Sequence, residues 1–76
     1  MKTVKIDGEL DFIVLRIYED GHPSAVARWS LSKYAEHEDK ETAKERCIRE
    51  AKIEAYNLLW QLKELGNDCE LNPYIN

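Results

Sequence analysis

The chain has 76 residues, of which 43% are hydrophobic and 34% charged, and its formal net charge is −4. That length allows one domain at most, with too little chain to bury a large core, and the composition is that of a folded rather than a disordered protein. The acidic balance argues against nucleic acid or an anionic membrane as partner unless basic residues cluster locally, and no apolar run approaches the roughly 20 residues that span a bilayer.

The N-terminal MKTVKIDGELD holds no signal-peptide apolar region, so a cytoplasmic location is expected. A short strand is predicted at about 2–6, KTVKI. Asp7-Gly8 then lies between two apolar segments, the pattern of a two-residue type I′ loop, which needs φ > 0 at both positions. The second strand is predicted at about 10–19, and Asp20-Gly21 with His22-Pro23 makes the next turn. The third is predicted at about 24–31, with Pro23, which has no backbone donor, in the turn or at the start of an edge strand. Residues 32–38 are polar and fit a loop or a short helical turn.

A long helix follows at about 39–65. Asp39 suits its N-cap, Glu41 its first turn and Gly66-Asn67 its stop. The tail, 67–76, contains Pro73 and is expected to be non-helical. The fold class read from this order is α+β: a three-stranded antiparallel meander followed by one long C-terminal helix packed on the sheet, β-β-β-α, in a single domain over residues 1–76.

The second strand, within DFIVLRIYEDG, is apolar on both sides. With two-residue loops at both hairpins, directly opposed residues share a face. Val4, Ile6, Ile13, Leu15, Ile17 and Val26 then make one apolar face. Leu10, Phe12, Val14, Ala25, Ala27, Trp29 and Leu31 make the other. The helix carries one main stripe, Cys47, Ile48, Ala51, Ala55, Leu58, Leu59, Leu62 and Leu65, and can cover one face. The tail residues Leu71, Tyr74 and Ile75, or a second copy of the chain, must cover the other. A homodimer is the expectation, its twofold contact being the uncovered sheet face with Phe12, Val14 and Trp29, the helix stripe Ile53, Tyr56 and Trp60, or both. A second helix stripe, Ile53, Tyr56 and Trp60 with Arg49 and Lys63 beside it, lies opposite the first. Either the tail packs there, Tyr74 on Trp60, or it is a partner surface of the aromatic and arginine kind that interfaces favour.

For chemistry the sequence offers little. His22, His37, Cys47 and Cys69 are the soft metal-ligand candidates, and none form the close pairs of a structural zinc site. The two cysteines read as free thiols, Cys47 on the buried stripe. Phosphate-binding, dinucleotide and nucleophile-elbow motifs are missing. The expectation is a non-enzymatic chain with no cofactor. Lys40, Lys44, Arg46, Arg49 and Lys52 alternate with Glu41, Glu45, Glu50 and Glu54, which reads as a solvated charged face. The run YAEHEDKE gathers Glu36, Glu38, Asp39 and Glu41 before the helix. It serves the helix dipole, or it docks on a basic surface of another protein.

Three strands and a helix opening DKETAKERCIREA resemble the second half of a double-stranded-RNA-binding domain. Lys40, Ala43 and Lys44 match its Lys-Lys-x-x-Ala-Lys run. Glu41 stands where that family has lysine, and its first helix has no counterpart here. In size and in three-strand-plus-helix organisation the chain is similar to small accessory proteins encoded by phages and prophages, anti-CRISPR and other anti-defence inhibitors among them. That resemblance implies a protein-binding inhibitor or regulator acting in a host cytoplasm by covering a surface of another protein. The alternative is a nucleic-acid-associated regulator that dimerises through its sheet.

Overall fold

The computed structural model describes residues 1–75. The elements are β1 (Lys2–Gly8), β2 (Phe12–Glu19), β3 (His22–Ser30), α1 (Leu31–Tyr34), α2 (Lys40–Glu64) and β4 (Cys69–Asn72). The class is α+β, with β1, β2 and β3 antiparallel and α2 packed on the sheet, but the expected three strands are four. Their order is β3-β2-β1-β4, and the long helix is not the last element.

The first hairpin does not turn at Asp7-Gly8. β1 runs on through both, Gly8 pairs with Ile13, and the Glu9 amide donates to the Phe12 carbonyl at 2.8 Å across a turn at Leu10-Asp11. The reason lies across the strand pair, where Arg16 and Tyr18 bind the Asp7 carboxylate. Ile6 therefore opposes Leu15 instead of Glu9. The displacement is an even number of residues, so Val4 and Ile6 stay on the expected face.

The second hairpin does turn at Asp20-Gly21, with φ of 52° and 80°, the left-handed pair that a type I′ loop requires. Pairing is regular from Glu19–His22 to Arg16–Ala25, then slips, and Leu15 opposes Ala27 where Val26 was expected. Val26 is the extra residue of a β-bulge. Beyond it, Trp29 opposes Ile13, and both Ala27 and Trp29 pack on the helix side. Regular pairing would have set the indole on the side with no helix. Val26 itself is exposed.

Ala43, Cys47, Ala51 and Ala55 of α2 are fully buried. Their small side chains let the helix lie close to the sheet, and Val4, Ile6, Ile13 and Leu15 fill the layer between. Ile48, Leu58 and Leu59 flank it partly buried, while Leu65, expected on the stripe, is exposed just past the last helical turn. Asp39 caps α2 by accepting from the Thr42 amide at 2.9 Å. Gly66, at φ 86°, ends it, with the Asn67 amide donating to the Leu62 carbonyl at 3.0 Å. Ser30 caps the short α1.

The tail becomes a strand. CELN alternates Cys69 and Leu71 toward the helix, and β4 pairs parallel with β1, Lys2 opposite Cys69 through Lys5 opposite Asn72. β1 would otherwise carry a row of unpaired backbone groups. The tail thus extends the sheet and does not cover its second face. Tyr74 stays exposed, and Ile75 packs against the helix-side core.

Close helix approach makes the alanines intolerant of volume. Ala51→Leu is expected to cost about 1–3 kcal/mol through overpacking, read as a lower urea midpoint. A variant as stable as the parent would show that the helix can lift from the sheet freely.

Candidate interaction surface

α2 turns Ile53, Tyr56 and Trp60 outward, 57%, 61% and 67% exposed. The spacing that buries Ala51, Ala55 and Leu62 sets these three on the opposite side of the same helix. The Trp60 indole N–H donates to Glu64 Oε1 at 2.8 Å, one turn on, which fixes the ring along the helix. Tyr74 does not pack on Trp60 in the way the tail-packing reading expected, for it is itself exposed. Arg49 and Lys63 flank the stripe, and neither has a salt-bridge partner among the described residues.

Beside Tyr56 a cleft of about 140 Å³ is lined by Ile6, Ala55 and Leu71, with Lys52 and Tyr56 among its walls. It is smaller than the roughly 300–1,000 Å³ of small-molecule sites, and of a size for one apolar side chain.

The acidic run before α2 is divided between structure and solvent. Asp39 is the cap, and the Thr42 amide and hydroxyl hold its carboxyl below the usual carboxylate range. Glu38 is half-buried and pairs with Arg46 at 3.1 Å, its Oε1 buried without a hydrogen-bond partner among the described residues. Glu36 and Glu41 are exposed.

The proposed dimer residues are parted. Phe12 and Val14 lie on the open side of the sheet, and Trp29 on the helix side. The open side is not the apolar face that regular pairing implied. Val14 is buried there between its cross-strand neighbours Asp7 and Arg28. The Arg28 guanidinium stands 4.9 Å from the Phe12 ring centre, a cation–π distance. Leu10, assigned to that face from the sequence, is in the first turn, and Leu31 is buried at the start of α1.

Sequence reasoning missed the polar network at the centre of this open side. Asp7, 6% exposed, accepts from Tyr18 Oη at 2.6 Å and Arg16 Nη1 at 2.9 Å, and Lys5 Nζ is 3.7 Å away. Arg16 also binds Glu9. Burial alone pushes the Asp7 carboxyl up, but the hydrogen bonds from Tyr18 and Arg16 and the charge of Lys5 outweigh it, holding Asp7 below its ordinary value. The same bonds push Arg16 and Tyr18 up. The signal was present: once Lys5 is set opposite Arg16 and Asp7 two residues along, opposite charges meet on one face.

His22 and His37 are exposed, and no group of three or more metal-ligating side chains occurs among the described residues. Cys47 and Cys69 are free and buried, and burial pushes the Cys47 thiol up, away from the reactive thiolate. Among the described residues no helix is long and apolar enough to cross a membrane. The chain matches no family model, and no curated protein or solved structure matches it.

The network sets a pH window. Asp7 has a lowered folded-state pKa, so its contribution is present above the ordinary value of 3.8 and is lost as pH falls through the folded value. Tyr18, raised by its bond to Asp7, contributes below its ordinary 10.0 and loses that as pH rises through the folded value. Urea unfolding across pH should give a plateau that falls away at both ends, and Asp7→Asn should flatten both limbs. Identical limbs in the two proteins would show the network to be idle. Both thiols should react with a thiol reagent no faster than the protein opens; rapid labelling of native protein would contradict the buried placement of Cys47.

Proposed function

We propose that this chain is a non-enzymatic, protein-binding inhibitor or regulator that acts by covering a surface of another protein with the outer face of α2. The observation that carries the reading is that Ile53, Tyr56 and Trp60 are exposed on a helix whose opposite side is fully packed. None of the three is needed to close the core. Tryptophan, tyrosine and arginine are the residues that supply most binding energy at interfaces, and Arg49 beside them has no salt-bridge partner among the described residues.

The nucleic-acid alternative has less support. A basic patch is its first requirement. On the open side of the sheet Lys5 and Arg16 are neutralised by Asp7 and Glu9, which leaves Arg28 against Phe12.

The partner is to be captured from lysate of the host cell, identified by mass spectrometry and its affinity measured with variants. Trp60→Ala and Tyr56→Ala should each weaken binding by tenfold or more, as hot-spot truncations do at about 1.4 kcal/mol per decade. Both should leave thermal stability close to the parent's, because both side chains are exposed. Phe12→Ala, on the open sheet side, should bind normally. A partner that holds the Trp60 and Tyr56 variants at full affinity would remove α2 from the contact.

A further inference from the structure

If the outer face of α2 is a contact surface, as proposed above, its charges state what kind of partner fits it. Residues 49–64 carry three basic side chains, Arg49, Lys52 and Lys63, and three acidic ones, Glu50, Glu54 and Glu64. At 100° per residue Lys52 and Lys63 fall on one side of the Ile53–Tyr56–Trp60 stripe and Glu50, Glu54 and Glu64 on the other, with Arg49 inside the stripe between Tyr56 and Trp60. Their surroundings agree. Lys52 shares the cleft beside Tyr56 with Leu71 and Asn72 of β4, whereas Glu50 and Glu54 border Ala27 and Trp29 of β3. Lys63 lies with Tyr56 and Trp60 on the first side. One flank of the stripe is thus basic and the other acidic.

Spacing says that the occupant is a helix. Positions 49, 53, 56 and 60 are separated by steps of four, three and four, the seam that a second helix packs along. From 49 to 60 that seam runs about 17 Å at 1.5 Å per residue, in the middle of the 25 residues of α2.

Charge says that the helix is not a second copy. In an antiparallel pair related by a twofold axis, each flank meets its own counterpart. Lysine would face lysine, and glutamate would face glutamate. In a parallel pair, Arg49 would stack on its own copy inside the seam. Either arrangement sets like charges together, the device by which interfaces reject wrong partners.

We propose that the outer face of α2 docks a helix of a different protein, apolar along the stripe, acidic on the edge over Lys52 and Lys63, and basic on the edge over Glu50 and Glu54. One apolar side chain of that helix enters the cleft between Lys52 and Tyr56, above Ile6, Ala55 and Leu71.

A flank-reversed form of this chain supplies a helix of that chemistry. The variant Lys52→Glu, Lys63→Glu, Glu54→Lys, Glu64→Lys keeps the apolar stripe, and all four positions are exposed. Sedimentation velocity at micromolar concentration and low salt should show parent and variant each as monomers alone and as a one-to-one complex when mixed. Added salt should weaken the complex, and Trp60→Ala in the parent should abolish it. Where circular dichroism shows the variant unfolded, a synthetic peptide of residues 45–66 with the same four reversals takes its place as the titrant. A parent that dimerises alone would make a second copy the occupant and overturn the proposal. Failure of the mixture to associate would overturn it as well, because the flanks would then select nothing. Neither result touches the reading of α2 as a contact surface, which fails only if the captured partner ignores Trp60 and Tyr56.

Discussion

A single helix of 25 residues covers one side of this four-stranded sheet and leaves the other to water. The rest of the molecule accommodates that limit. Apolar bulk has to be gathered on the helix side, and the bulge at Val26 does this for the largest side chain of the sheet by turning Trp29 inward. The remaining side has to be made compatible with solvent although Val14 sits in its middle. Cross-strand Asp7 and Arg28 enclose that valine, and the long stems of Arg16 and Lys5 carry charge outward over the apolar layer. Buried Asp7 is tolerable because Tyr18 and Arg16 donate to its carboxylate and Lys5 adds a further positive charge beside it.

The long elements were legible because their signals are local. Asp39, Gly66 and the Asp20-Gly21 turn each satisfy a backbone need within a few residues, and all three stand where the sequence puts them. The inward set Val4, Ile6, Ile13 and Leu15 was also legible, since alternation survives any even error in register. The Asp7-Gly8 reading failed because a local preference met a tertiary competitor, the side chains of Arg16 and Tyr18. The bulge failed for a related reason. One inserted residue leaves no mark in composition or periodicity, yet it reverses the side of every residue after it, so Ala27 and Trp29 were assigned outward. β4 was too short to show a period, and its partner strand lies more than 60 residues earlier in the chain.

The outer face of α2 was readable from spacing alone, and the acidic run before the helix was readable only in part. Its charges were visible, but not that Asp39 is committed to the Thr42 amide and Glu38 to Arg46. What distinguishes the Ile53–Tyr56–Trp60 stripe is that it makes no comparable commitment to the core. Among the described residues Trp60 bonds only forward along its own helix.

The interruption of β3 at Val26 has a second effect, at the margin of the sheet. Backbone groups along a free strand recruit almost any extended chain, whatever its side chains. Here one margin is broken by Pro23 and by the bulge, and the other is a strand of four residues followed at once by Pro73. Neither offers a long, flat row of amides and carbonyls. Promiscuous strand addition, and the fibrous association that follows from it, is therefore disfavoured at both sides. Recognition is left to side chains, and a chain this small can display an exposed tryptophan without becoming adhesive along its backbone.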